Sequence, residues 1–143
     1  MQTFLPFADF RLSAEVLDRQ RLGKQRVEAW QILRALRGET KGWTTHPATR
    51  MWAGYEGALA QYASTICREW IDRGYRDTML PRFLDLLDGS SDYILLPDWF
   101  GDYDFHASHR ANLLRKDYGW YSKYGWTEDP SMAYVWPSER SAT

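Results

Sequence analysis

Polar side chains occupy one face of a predicted helix at the spacing that is typical of a buried face. In residues 19–33, RQRLGKQRVEAWQIL, four polar residues recur at i, i+3, i+4 and i+7, and apolar rows flank them on both sides. This polar strip consists of Arg21, Lys24, Gln25 and Glu28. A polar strip between two apolar rows lies at the edge of a core. It indicates either a solvated face with a Lys24–Glu28 ion pair, or the floor of a cleft where one carboxylate is surrounded by cations.

The same periodicity predicts the organisation of the N-terminal part. The aromatic segment Met1–Leu12, which a proline interrupts, is predicted to be an ordered extended arm. Ser13 is predicted to cap one helix that runs to Arg37 and ends at Gly38. Gly23, inside this helix, indicates a close approach by another backbone or by a ligand.

Three further helices are predicted, and no segment alternates between apolar and polar residues as a strand would. A loop over residues 38–47 precedes the longest helix, which Gly74 closes, and an acidic, aromatic loop is expected over residues 89–105. The predicted helices are Pro47–Asp72, Pro81–Leu87 with Gly89 at its end, and Ala107–Lys116. The sequence therefore predicts a mainly α fold with one compact domain over residues 1–143.

Composition and charge limit the classes of protein to which this chain can belong. Eight Trp, nine Tyr and six Phe in 143 residues are more rings than one core needs, so some are expected on a binding surface. The net charge is only −1, but residues 1–50 carry nine cations against five anions, whereas residues 51–105 carry four against ten. This uneven distribution of charge would suit a protein that presents one cationic face to a polyanion. It would equally suit a protein that has a polarised surface and no partner.

Cysteine content and hydropathy exclude several classes of protein. The single cysteine, Cys67, excludes a disulfide framework and lies in a helical pattern as a buried small hydrophobe does. No apolar run is long enough to span a membrane, and no signal-like run follows basic residues at the N-terminus. We therefore expect a soluble, cytoplasmic monomer with no membrane partner.

Two groups of residues outside the polar strip also suggest chemistry. His106 and His109, with His46 or Asp104 as a third ligand, have a spacing that permits a divalent metal site, although no HExxH or CxxC motif is present. In residues 120–126, WYSKYGW, rings alternate with a cation. Bases stack on such rings while cations hold phosphates, but the same rings equally suit packing on a core helix.

The order of these motifs resembles a known enzyme family. VEAWQIL, GETKGWTTHP, a long helix ending in RGYRDT and the closing WYSKYGW follow one another as in the pyrimidine-dimer DNA glycosylase/AP lyase family, whose type member is the phage endonuclease V. The resemblance extends over residues 17–126. It implies a compact helical fold in which the N-terminus threads between helices into the active site.

The resemblance also implies a mechanism. In the family the free α-amine attacks C1′ of the damaged nucleotide, the base leaves as an imine forms, and β-elimination cuts the strand. Glu28 aligns with the glutamate that assists, and Met1 would supply the amine because the bulky Gln2 should leave Met1 in place. α-Amino groups are less basic than lysine side chains, so such an amine is a nucleophile near pH 7. Lys24, one helical turn from Glu28, is the alternative imine-forming residue.

The DNA contacts are expected around these catalytic candidates. Cations would neutralise phosphates near a bent or flipped-out lesion, and rings would stack on bases. The expected DNA-binding residues are Arg19, Arg21, Gln25, Arg26, His46, His106, His109, Arg110, Arg115, Lys116, Trp120, Tyr121, Lys123 and Tyr124. The expected partner is double-stranded DNA with a damaged or modified base, and no metal or organic cofactor is expected.

The excised base and the reaction class stay open at this point. The segments FHASHRANLLRKD and YVWP resemble a bacterial branch of the family, so the substrate is either a cyclobutane pyrimidine dimer or a bulky modified pyrimidine. A non-catalytic DNA-binding module would use the same cations and rings. A metal-dependent hydrolase would use His46, His106 and His109.

Overall fold

Helices provide the regular secondary structure in the computed structural model of the protein, which describes residues 1–88 and 94–137. Within these ranges there are seven α-helices and no strand, and no helix is long and apolar enough to cross a membrane. The helices are α1 (Phe10–Val16), α2 (Arg19–Leu36), α3 (Pro47–Arg50), α4 (Glu56–Asp72), α5 (Leu80–Asp88), α6 (Tyr103–Lys116) and α7 (Tyr118–Tyr121). The prediction of a mainly α fold is confirmed.

The predicted first helix is two helices, α1 and α2, so the prediction that Ser13 caps a single helix is wrong. Asp9 caps α1 by accepting a first-turn N–H at 2.8 Å, and Asp18 caps α2 in the same way at 3.3 Å. Between them Leu17 has an extended backbone and a completely buried side chain. Ser13 lies inside α1, where its hydroxyl donates to the Phe7 carbonyl at 3.1 Å. The N-terminal arm, residues 1–9, is therefore shorter than predicted.

The predicted helix over residues 47–72 is also divided, into α3 and α4. Gly54 has a left-handed φ of 85° in the connection, and Trp52 is completely buried there. The indole N–H of Trp52 donates to the Thr3 hydroxyl at 3.0 Å, so burying this side chain interrupts the helix and ties the connection to the arm. The end of α4 agrees with the prediction, since Gly74 follows it with a φ of 95°.

The C-terminal half agrees more closely with the prediction, except at the start of α6. Both ends of α5 lie within one residue of the predicted helix. Its predicted stop at Gly89, and the loop residues 89–93, lie outside the described residues. α6 begins at Tyr103 rather than at Ala107, because the side chain of Asp102 caps the earlier turn.

The core is centred on α2 and α4, and α1 and α5 pack against α4. Where α2 meets α4, Gly23 faces Trp70, and a Cβ on residue 23 would lie 3.0 Å from Cη2 of the indole. The close approach predicted at Gly23 therefore exists, but the approaching group is a side chain. Cys67 is buried in α4, as predicted. This packing fixes the orientation of α2 and hence of its polar strip.

Candidate active site

A cleft of about 350 Å³ opens beside the middle of α2. The polar strip lies on its floor, the N-terminal arm forms one side, and α6 contributes a further cation. The polar and charged groups that line it include Met1, Gln2, Arg21, Lys24, Glu28 and Lys116. One carboxylate therefore faces three cationic side chains and the first residue of the chain, which agrees with the second of the two interpretations of the strip, the floor of a cleft.

Glu28 is held by donors from both the arm and its own helix. Its Oε2 accepts the backbone N–H of Gln2 at 3.3 Å and the Nε2 donor of Gln25 at 3.2 Å. The same Gln25 amide donates to the Gln2 carbonyl at 2.8 Å. The carboxylate, the start of the chain and α2 thus share one hydrogen-bonded unit.

Gln25 is buried and uses all of its hydrogen-bonding capacity within the protein. Its Oε1 accepts the Phe4 N–H at 3.0 Å and also lies 2.7 Å from the Tyr62 hydroxyl, while both Nε2 protons are directed at Gln2 and Glu28. With 1% exposure and no free donor or acceptor, this amide cannot also contact DNA. The expectation that Gln25 binds DNA is therefore corrected: it positions Glu28 and the arm.

Two histidines of α6 hold the arm from another side. The Leu5 N–H donates to Nδ1 of His109 at 2.9 Å, and the Leu5 carbonyl accepts from Nδ1 of His106 at 2.8 Å. The N–H of Gly101 donates to Nε2 of His106 at 3.0 Å, which requires the His106 tautomer with its proton on Nδ1. The arm is therefore fixed by contacts from residues that lie more than 90 positions away in the sequence.

Both of these imidazoles have to be neutral. Burial, and then the nearby His106, lower the pKa of His109 to about 3. Burial also lowers the pKa of His106, against the hydrogen bond from its ring to the Leu5 carbonyl. Because each ring accepts a backbone N–H, a protonated ring would lose that bond. The expectation that His106 and His109 contact DNA is corrected, since both are buried and bind the arm.

His46 lies close to the cleft, although it does not line it. It caps α3 by accepting a first-turn N–H at 3.0 Å, and its ring lies 5.6 Å from that of Trp43 and 5.9 Å from that of Trp136. Burial lowers the pKa of His46, the positive α-ammonium group of Met1 lowers it further, and Glu28 opposes them. The imidazole is thus within electrostatic range of both catalytic candidates.

Two arginines that are expected to contact DNA form ion pairs within the protein. Arg26 lies 2.6 Å from Asp77 and covers the indole of Trp70 at 4.6 Å. Arg110 lies 2.9 Å from Glu128, and both side chains are largely buried. Neither of these two arginines lines the cleft. These residues join segments of the fold, and their contact with DNA stays a prediction.

The aromatic segment over residues 120–126 packs on the core. Tyr121 is completely buried and its hydroxyl donates to the Asp18 carboxylate, so it cannot stack on a base. The indole of Trp120 donates to the Val16 carbonyl at 2.8 Å, and Lys123 lies 3.4 Å from the centre of that indole. The packing interpretation therefore accounts for both rings. The expected DNA contact of the buried Tyr121 is corrected, whereas that of the partly exposed Trp120 stays a prediction.

Three other predicted contacts lie outside the cleft lining, at positions that solvent reaches. The guanidinium of Arg19 lies over an aromatic ring, and the ring of Tyr124 stacks on a neighbouring one. Arg115 donates to the Pro130 carbonyl at 3.0 Å. Arg19 and Arg115 are exposed, so their charge extends the positive surface at the two helices that bound the cleft.

Gln20 and Tyr134 line the cleft, and neither was predicted. Gln20 stands four residues before Lys24, so the helical spacing of the strip would have included it. Tyr134 comes from the C-terminal segment, residues 130–137, and burial raises its pKa to about 12. No sequence pattern places this tyrosine against a helix that lies more than 100 residues earlier.

The alternative of a metal-dependent hydrolase has no site in the part of the chain that the structure describes. There, no group of three or more His, Cys, Asp or Glu side chains is placed to hold a metal ion. His46 caps a helix, and His106 and His109 bind the arm. The three histidines thus serve separate structural contacts.

Comparison with known proteins supports the resemblance over the arm and the first four helices. A family profile described as pyrimidine dimer DNA glycosylase matches residues 1–81, which include Met1 and Glu28. No curated protein and no solved structure matches the chain. α6 and the C-terminal segment, which supply Lys116 and Tyr134 to the cleft, lie beyond the matched residues. The chain belongs to the pyrimidine dimer DNA glycosylase family, whose substrate is DNA.

Proposed function

We propose that the protein removes a damaged or modified pyrimidine from duplex DNA and then cuts the strand, through an imine between the α-amine of Met1 and the sugar. The observation that supports this most directly is the position of Glu28. Its Oε2 lies 3.3 Å from the backbone nitrogen of Gln2, and Met1 lines the same cleft. A carboxylate and the first residue of the chain are therefore adjacent.

The glycosylase step begins with a neutral amine. Its nitrogen attacks C1′ and the bond from C1′ to the base breaks, so the base leaves with that electron pair and receives a proton. The nitrogen loses its protons as the sugar ring opens, which leaves a hydroxyl at O4′ and a C=N bond at C1′. Glu28 would carry protons between these groups and stabilise positive charge on the sugar.

The lyase step uses the acidity that the imine gives to C2′. A base removes one C2′ proton, the electron pair forms a C2′–C3′ double bond, and the 3′ phosphate leaves. Water then hydrolyses the imine and returns the free amine. Glu28 is the only carboxylate that lines the described cleft, so we assign this proton transfer to it as well.

Lys24 is the alternative nucleophile. Its side chain lines the cleft and lies one turn from Glu28 on α2. It is exposed, however, whereas the arm that carries Met1 is fixed by Gln25, His106 and His109. A fixed nucleophile loses less conformational freedom on reaction than a mobile one. We therefore assign the imine to Met1 and phosphate binding to Lys24.

The positive charge of the cleft comes from two helices. Arg21 and Lys24 project from α2 and Lys116 from the end of α6, so that phosphates on both sides of one nucleotide would meet a cation. Burial, followed by Arg21 and Arg115, lowers the pKa of Lys116, and Glu28 opposes this shift. We propose these three side chains as the principal phosphate contacts.

Borohydride trapping tests the proposal. Borohydride reduces an imine to a stable amine, so the protein should become covalently attached to duplexes that carry a suitable lesion. The panel contains a cyclobutane dimer, an abasic site, a bulky modified pyrimidine and an undamaged duplex. We expect an adduct with at least one lesion and none with undamaged DNA, and acetylation of the α-amine should prevent it. Binding without an adduct on any duplex would instead identify a non-catalytic module.

A further inference from the structure

Trp43 has a backbone conformation that its own side chain disfavours. Its φ is 67°, and it is the single residue other than glycine with a positive φ among residues 1–88 and 94–137. In this conformation the Cβ of a bulky residue crowds its own backbone. Glycine, which avoids this cost, occupies the left-handed positions 38 and 54 nearby. Backbone geometry alone would therefore favour glycine at position 43.

The indole of Trp43 is not part of the core either. It is 48% exposed, and it makes an edge contact with the ring of His46 at 5.6 Å and 67°. The Trp43 carbonyl accepts the His46 N–H at 3.2 Å, which closes the turn over residues 43–46. The turn thus holds one side of the indole and leaves a large part of the ring in solvent.

A row of rings connects Trp43 with the cleft. His46 lies 5.9 Å from Trp136, and Trp136 lies 5.5 Å from Tyr134, which lines the cleft. The lowered pKa of His46, to which the α-ammonium group of Met1 contributes, agrees with this placement. The cations of the cleft come from α2 and α6, whereas the rings come from the loop before α3 and from the C-terminal segment. Trp43 is the exposed end of this aromatic row.

We propose that Trp43 stacks on a base of the substrate that has lost its stacking neighbour, next to the nucleotide that enters the cleft. Every base has a flat face that an indole can cover, and such stacking does not depend on sequence. An intact duplex offers no free base face inside a strand, so this contact would favour DNA that is already distorted. Strained backbone conformations persist where the surrounding structure holds them, and they cluster at functional sites. The inference rests on the proposed orientation of DNA with its sugar at Met1.

Binding measurements with variants of Trp43 test this inference. The probe is a duplex with 2-aminopurine beside a tetrahydrofuran abasic-site analogue, which cannot form an imine, and an undamaged duplex is the reference. We expect Trp43→Ala to weaken binding to the abasic duplex about tenfold, with the affinity for the reference duplex unchanged within about twofold. Trp43→Phe keeps a ring and should stay within about threefold of the wild type. Quenching of 2-aminopurine fluorescence on binding should be lost in Trp43→Ala and kept in Trp43→Phe.

A matched aromatic control is Tyr103, which is 71% exposed at the first turn of α6. It lies about 20 Å along that helix from Lys116, at the other end from the cleft. Tyr103→Ala should leave both affinities and the quenching unchanged. An equal loss in Trp43→Ala and Tyr103→Ala, or the same loss on both duplexes, would overturn the inference.

Trp43→Gly separates backbone strain from DNA contact. This variant should melt at a higher temperature than Trp43→Ala, because glycine accepts the left-handed turn, yet bind the abasic duplex as weakly as Trp43→Ala. Full binding by Trp43→Gly would overturn the stacking role. The outcome is independent of the imine: if the wild type forms no borohydride adduct but the Trp43 pattern holds, the proposed chemistry fails and this contact stands.

Discussion

At the scale of single residues, the site depends on the buried side-chain amide of Gln25, which positions the carboxylate of Glu28. Gln25 contacts Gln2, Phe4, Tyr62 and Glu28 at once. The position of the arm and the orientation of Glu28 are therefore set by the same side chain. This arrangement lets the carboxylate face the cleft while its Oε2 remains hydrogen-bonded.

Replacing Glu28 by Gln tests its role as the acid and base. The side chain keeps its size, but it can no longer accept and release a proton. We expect the rate of strand scission in single turnovers to fall by about 10² to 10⁴, with the affinity for lesion-bearing DNA within about threefold of the wild type. Glu39→Gln, at an exposed carboxylate that pairs with Arg37, is the matched control and should keep full activity. Unchanged scission in Glu28→Gln would remove Glu28 from the mechanism.

At the scale of helices, the crossing of α2 and α4 holds the polar strip in place. Trp70 cannot move away from Gly23 easily, because its indole N–H donates to the Arg76 carbonyl at 2.9 Å and its ring stacks on Tyr75 at 4.3 Å. Arg26 covers the ring and pairs with Asp77. Close packing against Trp70 therefore explains why glycine occupies position 23 despite its low helix propensity.

Gly23→Ala should destabilise the protein. The added methyl group would lie 3.0 Å from a fixed indole, and overpacking of this kind costs about 1 to 3 kcal/mol of unfolding free energy, which exceeds the gain in helix propensity of about 1 kcal/mol. Gly57→Ala in α4 is the matched control, because its nearest neighbour, Ile94, would be 4.0 Å away. Urea denaturation should show a loss for the first variant and a gain for the second. A gain of stability in both variants would mean that the Trp70 side chain moves aside at little energetic cost.

Because two buried histidines of α6 bind the arm, the free energy of unfolding should depend on pH. In the unfolded chain His109 titrates near 6.5, whereas in the folded protein burial lowers its pKa to about 3. The unfolding free energy is therefore highest above pH 6.5 and falls as the pH drops below it, by up to about 1.4 kcal/mol per pH unit for this ring. His106, whose pKa is also lowered, contributes in the same direction.

Melting temperatures at pH 7, 6 and 5 measure this effect. His109→Asn keeps an acceptor for the Leu5 N–H but does not titrate, so its stability should fall less steeply with pH than that of the wild type. His109→Leu leaves the N–H unpaired and should lose about 1 to 3 kcal/mol at pH 7, and this difference from the wild type should shrink at lower pH because leucine does not titrate. Identical slopes for the wild type and His109→Asn would contradict a buried, neutral imidazole.

At the scale of the whole molecule, charge is concentrated where the cleft opens. Each phosphate contact that a cation makes adds about 0.9 to the slope of log K against log salt. Lys116→Gln should therefore reduce the slope for duplex binding by about one. Arg68→Gln, at an exposed position of α4 away from the cleft, should leave it unchanged. Equal slopes for Lys116→Gln and the wild type would exclude Lys116 as a phosphate contact.

The sequence was informative where the determining contacts are local. The polar strip on α2 needed only helical spacing to be recognised, and the ends of α2 and α4 were marked by Gly38 and Gly74. The breaks before α2 and α4 were missed because Leu17 and Trp52 enter the core there, which is a tertiary effect. The roles of the histidines were missed for the same reason, since their partner is a backbone segment about 100 residues away.

The identity of the residue that becomes attached to DNA tests the central claim most directly. The adduct trapped with borohydride on an abasic duplex would be digested with a protease and nuclease, and the modified peptide located by mass spectrometry. We expect the remnant of the sugar on the α-nitrogen of Met1, with Lys24 and Lys116 unmodified. A remnant on either lysine, or the absence of any modified peptide in an active preparation, would contradict catalysis by the α-amine.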